Sequence, residues 1–182
     1  MARKETVTKQ MILDAAFEMA GENGYREVTA RKLASHIGCS TQPIFRVYKN
    51  MEELWAAVYD KAVEYFQAFL MKNEHKSDIP FVDLGMAYIS FAMEEKNLFQ
   101  LLFVTKGNVQ KEMYEVVNGE GGNVVKEISK AASQGCKNAS AMFMNMFIFI
   151  HGAACMSLTG DYDLKDDETL KLLESAYKSF AV

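Results

Sequence analysis

The chain of 182 residues is short of several residue types, and each shortage narrows what it can be. Two prolines and eleven glycines exclude collagen-like and linker-like chains and most turn-dense β architectures. Three scattered cysteines, Cys39, Cys136 and Cys155, are too few for a disulfide scaffold and point to a reducing compartment. Three histidines leave little material for a metal centre or an imidazole-based active site. The opening MARKETVTKQM has charges but no apolar core behind them, so no export signal is expected, and the cytoplasm is the expected location. What is abundant is hydrophobic material, at 49%, with 24% charged residues, the balance of a globular chain.

The net charge of −4 is unevenly spread. Residues 1–50 hold eight Lys/Arg against five acids, and the rest of the chain holds twelve against nineteen. A basic N-terminal third on an acidic body suits a chain that meets a polyanion at one end.

Periodicity is helical throughout, and the expected fold class is all-α. Met11, Ala15, Ala16, Met19 and Ala20 form one apolar stripe, with Thr8 as its N-cap and Gly24 as its stop. Thr29 caps a short helix whose Leu33, Ala34 and Ile37 face inward and which Gly38 ends. Ser40 opens the next, which runs to about Tyr48. Asn50 with Glu53 reads as a capping box for a long helix through Phe69, and residues 73–77 are a polar break. Asp78 and Pro80 start another helix. Further helices are expected over 81–95, 98–104, 109–117, 124–134, 139–158 and 166–180. No segment alternates with period two, and no internal repeat is visible.

The stretch TARKLASHIGCSTQPIFRVYKNMEEL, Thr29 to Leu54, pairs two short helices across a Gly-containing turn, which is the layout of a helix-turn-helix. Thr29 and Ser40 stand at helix N-termini, where hydroxyls and free N–H groups hold phosphates. Thr41 and Gln42 open the second helix, placed to reach base edges, with Gln matched to adenine. Pro43 is tolerated in a first turn and offers an apolar face to a thymine methyl.

Over residues 8–60 this pattern resembles the TetR/AcrR transcriptional regulators. The resemblance is carried by Thr29, Leu33, Ala34, Gly38, Ser40, Ile44, Phe45, Tyr48, Lys49 and Glu52-Glu53-Leu54. It implies a three-helix DNA-binding domain over 1–49 and a helical ligand-binding and dimerisation domain over 50–182. Thr29, Tyr48 and Lys49 then contact phosphates or anchor the recognition helix. Thr41, Gln42, Pro43 and Arg46 form the reading face, and Arg31, Ser40 and Phe45 complete the implied DNA-binding set. Thr41-Gln42 stands where the family commonly has Lys-Gly, and Phe45 where it commonly has Tyr, so one phosphate-bonding hydroxyl is missing.

The segment FIFIHGAACMSLTG resembles the penultimate helix of one group of TetR C-terminal domains, which implies a homodimer through Asn138–Leu158 and Asp166–Phe180. One polar residue between Met142 and Ile150 predicts a helix buried nearly all round, and an interface helix is expected here, not a membrane span. The body is rich in aromatics and methionine, a suitable lining for an apolar effector cavity. Phe66, Phe91, Phe103, Met113, Met142 and Met146 are its candidate lining, with Tyr88, Asn145 and His151 as orienting polar groups. His36/Cys39 and His151/Cys155 have helical spacings open to a metal, but each lacks further ligands, so no metal or other cofactor is expected. The function expected is a ligand-responsive regulator, a repressor released from a double-stranded operator by a small molecule. A ligand-binding helical dimer without DNA function, or an enzyme using the body cavity, is the alternative.

Overall fold

The computed structural model describes residues 7–72, 77–105 and 111–181. Among them there is no strand, as the periodicity requires. The chain forms two compact units, the first from residues 1–65 with 97–110, the second from 66–96 with 111–182.

In the first unit, α1 (Lys9–Asn23) begins where the Thr8 hydroxyl accepts from the Met11 N–H at 3.2 Å. Its buried residues are Ile12, Ala16, Met19 and Ala20. The expected stripe is therefore off by one position at its start, because Met11 is 40% exposed and Ile12 takes its place. A single 3₁₀ turn, Tyr25–Glu27, leads to α2 (Ala30–Ile37), capped by Thr29 through a 3.3 Å bond from the Lys32 N–H. Gly38 at φ 76° then adopts the left-handed conformation that ends α2. The next helix, α3 (Gln42–Val47), has Thr41 at its N-cap, one residue later than the Ser40 start expected. Pro43 falls within its first turn, where its missing N–H costs no helical hydrogen bond.

Asn50 opens α4 (Met51–Lys72), its side chain accepting from the Glu53 N–H at 2.9 Å. The Glu53 carboxylate reaches back to the Lys49 N–H at 2.7 Å, so the capping box closes one residue early. Later in the chain α6 (Lys96–Phe99) runs into a π-helical turn, Gln100–Val104, so the helix expected from 98 starts earlier and changes its winding. Asn97 donates to the carbonyls of Gly21 at 2.8 Å and Glu22 at 3.0 Å, closing the C-terminal end of α1.

The second unit contains α5 (Pro80–Glu94), α7 (Met113–Asn118), α8 (Asn123–Ser133), α9 (Ala139–Thr159) and α10 (Asp166–Phe180). The helix expected over 109–117 starts at Met113, and its first two residues lie outside the described set, as does most of the break at 73–77. Gly85 brings α5, α9 and α10 together. A Cβ placed there would lie 2.8 Å from Ile150 Cδ1 and 3.1 Å from Leu173 Cδ1. Phe66, Tyr88 and Phe91 meet edge to face in the core, with Phe66 at 6.0 and 4.9 Å from the other two ring centres.

The expectation that α9 is buried nearly all round does not hold within one chain. Met144, Ile148 and Met156 are 53%, 63% and 47% exposed, and Asn145 is exposed beside them. Among the described residues, α5, α7, α8 and α10 pack on one side of α9 and leave these side chains open. Length and apolarity would let α9 cross a membrane, but the buried part of that helix is already packed against protein.

Candidate functional site

The geometry of α3 follows from a division of its six residues. Ile44 is fully buried and Tyr48, four residues on, is 1% exposed, so this pair anchors the helix in the first unit. Gln42, Phe45 and Arg46 point the other way into solvent, Phe45 at 46%, with Thr41 and Pro43 half-buried at the rim. Thr29, Arg31, Ser40 and Lys49 are also exposed, so nine of the ten residues selected from sequence reach the surface of one unit. The tenth, Tyr48, does not: its hydroxyl is buried and has no hydrogen-bond partner among the described residues. Burial pushes that phenol above its ordinary pKa, with the Glu53 and Asp14 carboxylates adding to the effect.

The α2–α3 turn is fixed by the backbone. The Cys39 N–H donates to the Ala34 carbonyl at 2.9 Å and the Gly38 N–H to that of Ser35 at 3.2 Å, which closes α2 and sets the entry angle of α3. Trp55 of α4 donates its indole N–H to the Val28 carbonyl at 3.3 Å, just before α2. Lys61 pairs with Asp14, tying α4 to α1, and lies over the Phe17 ring at 5.0 Å. That hydrogen bond holds the Asp14 carboxyl below its usual range, helped by Gln10.

One cation fell outside the sequence motif. Lys9 is exposed in the first turn of α1, with its Nζ 5.4 Å from the centre of the Tyr48 ring. A lysine there opposes the helix dipole, and that misplacement was the available signal. Nearby, Lys32 pairs with Glu27, and the His36 ring lies 3.8 Å from Glu18.

Of the body residues, Phe66, Tyr88, Phe91, Met142 and Met146 are each no more than 1% exposed and form close-packed core. Met113 is half-buried, Asn145 is exposed, and Phe103 belongs to the π turn of the first unit. Two of the three polar candidates do meet: Tyr88 Oη and His151 Nδ1 are 2.9 Å apart. Beside them lies a narrow crevice of only about 10 Å³ between α5 and α9, lined by Gly85, Tyr88, Phe143, Phe147 and Ile150 among others. Among the described residues no three His, Cys, Asp or Glu gather as a metal site.

Residues 12–58, from α1 into α4, match the family model for bacterial regulatory proteins of the tetR family. The N-terminal segment is a TetR-family domain. The match assigns residues 12–58 the DNA-binding domain of bacterial regulatory proteins. The whole chain shares its fold with solved structures. One is a Rhodococcus protein of unknown function, at TM-score 0.74 and 19% identity, with 100% of this chain and 98% of that one covered. A TetR-family transcription regulator from Marinobacter aquaeolei gives 0.67 at 15% identity over 92% of each chain. A TetR variant from Acinetobacter baumannii solved with minocycline gives 0.58 at 15% identity, over 96% of this chain and 94% of that one. A search of curated proteins finds no match.

Proposed function

We propose that this chain is a TetR-family, ligand-responsive repressor that binds a palindromic operator as a homodimer and leaves it when a small apolar or amphipathic effector binds the body. The observation that carries the reading is the split of α3 between two buried anchors, Ile44 and Tyr48, and an outward face of Gln42, Phe45 and Arg46. A helix held from behind and open in front is what major-groove readout needs. Residues 1–49 then read DNA and 50–182 serve effector and partner. Thr29, Arg31, Ser40 and Lys49 hold phosphates. The Thr29 oxygen accepts from the Lys32 N–H and retains its own proton for a phosphate oxygen.

The open apolar face of α9, with Leu172 of α10 at 36% exposure, supports dimerisation through Asn138–Leu158 and Asp166–Phe180. Two heads related by a two-fold axis would meet successive major grooves, which is why the operator is expected to be palindromic. A protein with the same fold that was solved with minocycline supports response to a small molecule. The test is retention of fragmented genomic DNA over a range of salt. Enrichment of one palindromic sequence, weakening steeply as salt rises, is expected. Retention without sequence preference would refute the operator reading and leave a ligand-binding helical dimer.

A further inference from the structure

Two lysines of the first unit are neutralised within it, Lys32 by Glu27 and Lys61 by Asp14. Lys9 is not. It is exposed in the first turn of α1, and among the described residues no carboxylate pairs with it. The two acids that act on neighbouring Tyr48 are already engaged: Glu53 accepts from the Lys49 N–H at 2.7 Å, and Asp14 is held by Lys61 and Gln10. What positions Lys9 is an aromatic face, with its Nζ 5.4 Å from the centre of the Tyr48 ring. Such a contact orients an ammonium group without neutralising it.

Tyr48 is a buried anchor of α3, and Lys49 follows it directly in the chain. The ring therefore brings a positive charge from α1 to the end of α3, where Lys49 is exposed. Its own helix gains nothing from that charge, because a lysine in the first turn faces the positive end of α1. A cation kept against its helix dipole, left unneutralised and fixed beside α3 suits a phosphate oxygen. Lys9 also lies ahead of residues 12–58, the segment that matches the tetR family model. We propose that Lys9 is a second phosphate-binding lysine, holding the backbone of duplex DNA beside Lys49 at the C-terminal end of α3. The inference rests on the DNA-binding reading above.

The Tyr48 ring restricts a long side chain in advance, so less freedom is lost when the phosphate is bound. A ring face occupies only one side of an ammonium group, and three N–H donors are present, so donors remain for phosphate oxygens. Each lysine that neutralises a phosphate releases a counterion, and the logarithm of affinity then falls by about 0.9 per tenfold rise in salt. Measured from 1 M, one such contact amounts to about eightfold in affinity at 0.1 M salt. The contribution is the same for every base sequence.

The test is binding of the full chain to a fluorescein-labelled duplex of random sequence, followed by anisotropy over a range of salt. Lys9→Gln should bind about eightfold more weakly at 0.1 M salt and lower the salt slope by about one unit, as Lys49→Ala does. Lys9→Arg keeps the charge and stacks on the same ring, so it should retain the slope. A lysine that served only to cover the Tyr48 ring would alter the melting temperature of Lys9→Gln and leave the slope as it was. If Lys9→Gln keeps the full slope, this inference is wrong, and the DNA-binding reading stands wherever Lys49→Ala still loses its unit. If the unsubstituted chain shows no salt-dependent binding to the duplex, both fall together.

Discussion

Replacing Tyr48 with Phe removes one oxygen and nothing else, and the structure fixes the sign of the effect. The ring is 1% exposed, so its packing against the first unit remains. Lys9 stays over the ring at 5.4 Å, because a phenyl face attracts a cation much as a phenol face does. What disappears is a buried hydroxyl with no hydrogen-bond partner among the described residues. Such a group costs about 1–3 kcal/mol relative to water, so the variant should be more stable by about 1 kcal/mol once the lost dispersion contacts are set against the gain. For a chain of this length that raises the melting temperature by about 2–4 °C. The assay is a thermal melt followed by helical circular dichroism, beside operator affinity at several salt concentrations. Affinity and its salt slope should not move, because an oxygen without solvent access cannot hold a phosphate. If the variant melts lower, and its salt slope falls by about one unit, Tyr48 contacts a phosphate and the anchor reading fails.

Other expectations rest on single residues. Gln42→Ala should relax base preference by about 1–3 kcal/mol at one operator position, whereas Lys49→Ala should weaken binding to all sequences alike and flatten the salt dependence; equal losses of both kinds from both variants would refute this division. Gly85→Val places carbon where Ile150 Cδ1 lies 2.8 Å from a Cβ and Leu173 Cδ1 3.1 Å away, and should cost about 1–3 kcal/mol in urea unfolding. A fully stable Gly85→Val chain would mean that α5, α9 and α10 pack less tightly than described. Ile148→Glu sets a carboxylate on the open face of α9 and should turn a sedimenting dimer into monomer without unfolding it. A dimer that persists would put the interface elsewhere.

Features governed by local chemistry were readable directly. Thr8, Thr29 and Asn50 cap their helices as their side chains predict, and α10 begins and ends at the expected residues. The helix-turn-helix was legible because its turn depends on one left-handed glycine and its anchors on spacing by one helical turn. Where choices depend on distant neighbours, the sequence misled. Met11 and Ile12 suit an apolar stripe equally, and only the position of the other helices of the first unit decides which is buried. The π turn at Gln100–Val104 has no composition signature. Apolar residues on α9 look alike whether they meet α5 or a second chain. Tyr88 and His151 stand out in the sequence as polar residues on apolar helices, but their bond joins residues 63 positions apart, which no local pattern shows.

The first unit is not one continuous stretch of chain. It takes residues through Tyr65 and then a second piece from Asn97 onward, which closes α1 through the carbonyls of Gly21 and Glu22 and buries Leu98 and Phe99. A single cut therefore cannot excise the unit that carries the helix-turn-helix intact. A head grafted onto another body would leave α1 without its terminal donors and expose apolar surface that α6 covers. On the operator reading proposed above, DNA specificity is better transplanted by exchanging the outward residues of α3, with their anchors left in place, than by moving the whole unit.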